Sequence, residues 1–521
     1  MNTLPLRPSL DQLKKQAREL LTSFRSAEPE AIRLFAELHP HKGAPGFSLH
    51  DAQLVLARSY GQPSWPRLKE EVERLNSDFA ERVRRFVIDA VEGDIRRARR
   101  AWQQEPELAR AGLWPALVLG DVDFISRAVT RDSAVVRRTD GPLAGRTPLL
   151  YVSFSRLQED AESGARFAEC ARLLLEAGAD ANASYELPSW PGSPLKSLYG
   201  ATGVNDNPAL ARQLIAHGAE LNDGESIYHA AQYDHRESME VLKEAGVSLG
   251  LHPHWKNTPL YFLLGAPLPP ATKRGVRWLL DAGCDPDVRC EENDETALHV
   301  ALRANLEAEV VRWLLEAGAD ANAATNKGIV PLALAHRSGR RDLVELLGDY
   351  GARAVELSAK ERFFEAALQG DAESAKELLR VNEGLQFEEN DRLTLNRAAE
   401  QGRVEAVRAL LDCGFDITFK GPHPWGSTPL HVASWQGQAD VVELLLERGA
   451  PVDVQANPPE DSLPLGWAAH GSQHCGNPHA DHVRVVRALL AAGSIPHPGH
   501  AEMASEPVAD VLHAALAGRG A

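Results

Sequence analysis

Residues 426–453 read GSTPLHVASWQGQADVVELLLERGAPVD, and nearly every position in them has a structural task. Pro429 falls at the first position of a helix opened by Thr428, where a missing N–H costs nothing and φ is already set. Leu430 and Ala433 then face inward. Gly437 stops this helix with a left-handed turn, and residues 439–447 supply a second helix with Val441, Leu444 and Leu445 at core spacing. Gly449 ends the second helix. The stretch is one helix-turn-helix unit, and shorter echoes of it lie on both sides.

Glycines placed to close the second helix recur at Gly178, Gly218, Gly246, Gly283, Gly318, Gly351, Gly414, Gly449 and Gly493. The long step between Gly351 and Gly414 conceals one repeat, with Asn382 at the equivalent position; with it counted, the average period is about 35 residues. First-helix openings run in phase at Thr147-Pro148-Leu149, Ser193-Pro194-Leu195, Thr258-Pro259-Leu260, Thr296-Ala297-Leu298-His299, Val330-Pro331-Leu332 and Leu463-Pro464-Leu465. This double registration resembles the ankyrin repeat, a turn and two antiparallel helices over roughly 33 residues with T-P-L-H-x-A at the first helix. The resemblance implies an all-α fold: an ankyrin-repeat solenoid of about twelve helix-turn-helix units with short β-hairpin-like loops, preceded by a small helical bundle.

Four segments are expected. Residues 1–78 break the period and read as a bundle of about four helices. Ser9 with Gln12, Ser48 and Ser64 serve as caps, Pro29 opens the second helix, Gly61 ends the third and Trp65 fills the core. The stretch DAQLVLARSYGQPSWPRLKEEV resembles a helical module found ahead of ankyrin repeats in many bacterial proteins. Residues 79–140 are degenerate helix pairs, with turns at Gly93-Asp94 and Gly120-Asp121. Residues 141–499 carry the plain repeats, and 500–521 form a C-terminal capping helix centred on 508–516. Insertions lengthen inter-helix turns at 155–166 and 472–482, and hairpins at 185–192 and 419–425. Insertions of this kind map to a binding face.

Hydrophobic content of 44% and charged content of 25% are those of an ordinary folded protein, while a net charge of −17 disfavours nucleic acid and anionic membranes. Cys170, Cys284, Cys290, Cys413 and Cys475 are odd in number and lack C-x-x-C spacing, which points to a reducing compartment. Neither a signal peptide nor a run of about 20 apolar residues is visible, so a cytoplasmic protein is expected.

The resemblance assigns His299 and His431 to the scaffold, bonding the turn and the adjoining repeat. It also aims the residues just before the turn glycine into a concave groove: Tyr233, Asp234, Arg303, Arg337, Trp435 and Gln436. Aromatic and arginine side chains there are the types that anchor interfaces. Tyr185, Trp190, Trp255 and Trp425 stand in loops that would border the groove. Two further clusters carry other chemistry. His470, His474, Cys475, His479 and His482 crowd one insertion and offer metal-ligating atoms, yet without paired ligand clusters or an H-E-x-x-H arrangement. The arginine-rich run 82–100 could meet phosphate, but Glu81, Asp89, Glu92 and Asp94 interleave with it and favour a solvated helix face. No phosphate loop, nucleophile elbow or kinase signature is present.

The expected function is therefore a protein–protein interaction scaffold or adaptor, non-enzymatic and monomeric. It would bind a protein partner through the groove and hairpin tips without a cofactor or metal. The alternatives are a metal-binding or hydrolytic site in 470–482 and nucleic-acid binding through 82–100.

Overall fold

In the computed structural model, Thr428 opens the helix Pro429–Trp435 as a capping box with His431. The ring Nδ1 accepts from the Thr428 amide at 3.3 Å and from its hydroxyl at 2.8 Å, and Nε2–H donates to the Ser462 carbonyl of the next repeat at 3.1 Å. One neutral tautomer satisfies all three bonds. Thr296, His299 and the Ile329 carbonyl repeat the arrangement. Both histidines are fully buried, and burial pushes the His431 imidazole down to about 4. A histidine held neutral in this way is a scaffold bond between repeats, as a buried polar group requires.

The structure describes residues 4, 8–39, 47–76, 78–158, 160–187, 190–265, 268–421, 426–456 and 462–518. They fall into two compact units, residues 1–230 with 235–247 and residues 231–234 with 248–521.

The first unit begins with the helices Leu10–Arg25, Pro29–Leu38, Leu49–Ser59 and Trp65–Asn76. Ser9 caps the first through the Gln12 amide, and Ser48 forms a reciprocal box with Asp51. Trp65 is 5% exposed and packs with Leu13, Leu56, Leu68 and Val72, while Phe35, Phe47 and Val55 form a second core cluster. Helix pairs follow at Phe79–Val91 with Ile95–Gln104, Leu113–Leu119 with Val122–Arg131, and Pro148–Phe154 with Ala161–Glu176. The pair after these departs from expectation. Ser193-Pro194-Leu195 does not open a helix but lies in the strand Trp190–Lys196, antiparallel to Ser184–Leu187. The helix starts at Ser197 and runs on as a wide turn over Gly200–Val204. The long loop before it supplies enough chain to form a ladder, and that pairing recruits the Ser-Pro-Leu tripeptide.

In the second unit the first helices Pro259–Leu264, Ala297–Arg303, Pro331–Arg337, Ala359–Leu368, Thr394–Glu400, Pro429–Trp435 and Pro464–His474 each pair with a following helix. A continuous core runs from Phe363 through Leu410, Leu445 and Val486 to Leu512. The loops between repeats close by backbone bonds such as Cys290 N–H to the Glu295 carbonyl and Asp294 N–H to the Cys290 carbonyl, both at 2.9 Å, and Ala456 N–H to the Ser462 carbonyl at 3.0 Å. Among the described residues the 184–196 pair is the one ladder.

The nine closing glycines all adopt left-handed φ, between 81° and 101°. Asn382 does not. Its φ is −120°, and it closes its helix by donating Nδ2–H to the Leu378 carbonyl at 2.8 Å, so a side-chain bond replaces the left-handed cap. The inter-helix insertions also differ from plain turns. Residues 161–166 belong to the helix Ala161–Glu176, and 472–474 extend the helix Pro464–His474, so helix growth absorbs part of each insertion.

Two sets of bonds between repeats escaped the sequence reading. Asn182 and Asn322, each in a Gly-Ala-Asp-Ala-Asn-Ala hexapeptide, donate Nδ2–H to the closing-glycine carbonyls of Gly218 (2.9 Å) and Gly351 (3.0 Å). Their Oδ1 atoms accept the amides of Glu220 and Arg353 at 2.8 Å. The repetition of that hexapeptide was the available signal. The residue before a second helix also reaches back to the preceding repeat, as His235 does to the Thr202 carbonyl (2.7 Å), Arg403 to the Leu368 carbonyl, and on to Ser338 one repeat further back (2.8 Å), and Gln438 to Glu400 (3.0 Å).

Candidate binding groove

Gly471 fixes the geometry of the site. A Cβ at this position would lie 2.2 Å from the Trp435 carbonyl oxygen, so only glycine lets the helix Pro464–His474 sit so close to Pro429–Trp435. The close approach sets Trp467 and His470 against Trp435. The two indoles meet at 5.9 Å between centroids and 73° between planes, and His470 stands 5.3 Å from Trp435 on another side. Trp467 Nε1–H donates to Ser462 Oγ at 2.8 Å, which orients its ring. Trp435 and Trp467 are half-buried. They line a pocket of about 690 Å³ together with Glu400, Val432, His500 and Met503. Edge-to-face aromatic contacts of this kind hold rings in one orientation.

The loop 475–481 is stitched to the end of the same helix. Asn477 Nδ2–H donates to the Gln436 carbonyl (2.8 Å), the Asp481 amide to Gly437 (2.9 Å) and His482 Nε2–H to Trp435 (2.9 Å). His482 is 7% exposed, and burial lowers its pKa, so the ring is a neutral donor at pH 7. His470 and His474 stack edge to face at 4.5 Å. Among the described residues no three His, Cys, Asp or Glu side chains gather as a metal ion would need.

The other expected groove residues are held in distinct ways. Tyr233 is 54% exposed. Asp234 takes a left-handed φ of 58° and pairs with Arg274. Arg303 lies 2.9 Å from Glu295, and Arg337 pairs with Asp391, a 4% exposed carboxylate that also meets Lys360 at 2.8 Å. Although Arg397 as a whole is exposed, its guanidinium is desolvated and feels Arg337 and Arg303, which together push it below the usual arginine range. Arg303, Arg337 and Arg397 thus stand near one another, interleaved with Glu295, Asp391 and Glu400. Gln436 Nε2–H reaches Glu400 at 3.5 Å. Trp425 and the Trp190 side chain lie outside the described residues. Tyr185 is turned inward, with the Arg146 guanidinium stacked 3.5 Å over its ring and Phe154 at its edge.

The arginine run is a partly solvated face laced with ion pairs, Arg84, Arg85 and Arg96 being exposed. Arg82 meets Glu105 at 2.9 Å, Arg97 meets Asp89 at 2.8 Å, Arg100 meets Glu70 at 2.9 Å and Arg85 meets Glu73 at 3.0 Å. Burial alone would raise the Glu105 carboxyl, but hydrogen bonds from Arg74 and Arg82 outweigh it and hold the group below the usual carboxylate value. The Arg100–Glu70, Arg85–Glu73 and Arg74–Glu105 pairs tie the helix Trp65–Asn76 to the first helix pair, while Arg82–Glu105 and Arg97–Asp89 lie within that pair.

Among the described residues no helix is long and apolar enough to cross a membrane. A family model for ankyrin repeats matches residues 271–356 and 363–456. Of solved structures, the chain is similar to the human ASB11 ankyrin repeat domain at 26% identity, over 46% of this chain and 100% of that one, with a TM-score of 0.23. The family match places ankyrin repeats in residues 271–356 and 363–456, in keeping with the all-α helix-pair architecture described above.

Proposed function

We propose that the protein is a non-enzymatic scaffold or adaptor that binds a protein partner along the groove carrying Tyr233, Asp234, Arg303, Arg337, Trp435 and Gln436. Ankyrin repeats are protein-interaction modules, and the observation that carries the reading here is the pocket at Trp435 and Trp467. Two half-buried indoles, oriented by a hydrogen bond and by edge-to-face contacts, form a pre-ordered anchor site, so little ordering cost falls on binding.

The five free cysteines support a reducing, cytoplasmic setting, and the proposal is for a monomer. Residues 1–78 are proposed to be a helical module of the bacterial type, held to the repeats by the Arg74, Arg85 and Arg100 ion pairs. The arginine run and His482 already have partners within the chain, which weakens the nucleic-acid and metal alternatives.

The test is affinity capture from the native cell, followed by titration of the captured partner against Trp435→Ala and Trp435→Phe. Truncating a half-buried tryptophan anchor commonly costs about 2 kcal/mol, so Trp435→Ala should weaken binding at least about tenfold. Unchanged affinity in a folded Trp435→Ala protein, with loss in Arg82→Ala/Arg85→Ala or His474→Ala/Cys475→Ala, moves the binding site to one of the other two clusters.

A further inference from the structure

The lining of the Trp435 pocket has a charge sign. Its walls are two indoles at 73° to one another, Val432, Met503 and the edges of His470 and His500. Glu400 is the one carboxylate among the described lining residues, and neither lysine nor arginine lines the pocket with it; Arg397, three residues earlier on the helix Thr394–Glu400, feels the Glu400 charge from outside the lining. His500 is pushed below its ordinary value, first by burial and then by His497, and stays neutral at pH 7. The π face of an indole is negative and attracts cations, a lysine ammonium among them. A corner of two indoles with a carboxylate at its rim therefore favours a positively charged alkyl group over a neutral one of the same shape. The net charge of −17 draws such a group in the same direction over longer range.

We propose that the Trp435–Trp467–Glu400 pocket takes an alkylammonium side chain, a lysine of the protein partner, as the anchor of the complex. This rests on the groove reading above and adds the chemistry of the residue that enters. The aliphatic stem of the lysine would lie along Val432 and Met503, and the ammonium would meet the indoles and the Glu400 carboxylate. Gln436, 3.5 Å from Glu400, is the polar neighbour that the incoming cation displaces or joins.

The test uses the full chain labelled with 5-fluorotryptophan, whose fluorine resonances for Trp435 and Trp467 are identified among the ten tryptophans with Trp435→Phe and Trp467→Phe. Choline, N-acetyl-lysine amide and 3,3-dimethylbutan-1-ol, the neutral isostere of choline, are titrated in turn. Choline and the lysine derivative should shift these two resonances saturably, with the neutral isostere about tenfold weaker than choline. Glu400→Gln should weaken choline several-fold and leave the isostere unchanged. Equal binding of choline and the isostere would make the pocket merely apolar and overturn the proposal, as would the absence of a saturable shift or an unchanged choline affinity in Glu400→Gln. The outcomes separate from those of the groove reading. If choline fails while Trp435→Ala still weakens the partner, the groove stands and the lysine anchor falls; if choline binds but the partner ignores Trp435→Ala, the pocket takes a cation but both the groove reading and the partner's lysine anchor fall.

Discussion

Acid should open the repeat around His431 before its neighbours. The ring is neutral and fully buried, accepting from Thr428 and donating to Ser462, and its pKa is lowered from 6.5 to about 4 by burial. The sign follows from linkage. The unfolded chain takes up a proton near pH 6.5 while the folded repeat refuses it until about pH 4, so the stability contribution is complete above pH 6.5 and is lost as pH falls toward 4. The full difference is about 3 kcal/mol, and about 2 kcal/mol of it is lost by pH 5, before most carboxylates titrate. In a repeat array this loss is local, so the proper assay is hydrogen exchange resolved by peptide rather than a global melt. Opening free energies for Pro429–Trp435 and Ala439–Glu447 should fall by about 2 kcal/mol between pH 7 and pH 5, after correction for intrinsic exchange. His431→Gln removes the titration. It should retain only the smaller dependence that His482, shifted in the same direction, contributes from the adjoining helix. An equal pH dependence in the wild type and the variant would refute the argument, as would a His431 that titrates near 6.5.

Three other outcomes are expected. Leu445, fully buried in the continuous core, should cost about 2–5 kcal/mol as Leu445→Ala, and exchange should rise first in the adjoining repeats; an even loss over the chain would contradict neighbour-only coupling. Asn322→Ala removes two bonds to the Gly351–Arg353 turn and should loosen that turn by about 1–2 kcal/mol, measured by local exchange, with Asn182→Ala as its parallel. Gly471→Ala drives a methyl onto the Trp435 carbonyl and should cost about 1–3 kcal/mol while altering the fluorine spectrum of Trp435, whereas an unshifted spectrum would show that the helices yield elsewhere.

The repeat itself was written in local sequence. A Thr-Pro-Leu-His opening, a turn glycine and a closing glycine act through φ preference, capping and the spacing of apolar residues, all of which operate within one unit and need no knowledge of its neighbours. The roles of His299 and His431 were what the ankyrin resemblance implied, and their bonds to Ile329 and Ser462 match it. Where local rules ran out, longer-range contacts decided. Ser193-Pro194-Leu195 has the tripeptide of a helix start, but strand pairing with residues 184–187 took it first. Asn382 sits in phase with the closing glycines yet uses a side-chain bond in place of a left-handed turn. The ion pairs of the arginine run to Glu70 and Glu73 were not legible because those partners lie on the helix Trp65–Asn76. The pocket was least legible of all. Trp435 could be singled out from its place before Gly437, but that Trp467, His470 and Glu400 would share a pocket with it depends on Gly471 admitting one helix against another, a fit between surfaces far apart in the chain. Local propensities fix the unit, whereas the site arises where units meet, and packing between repeats alone determines which side chains face one another there.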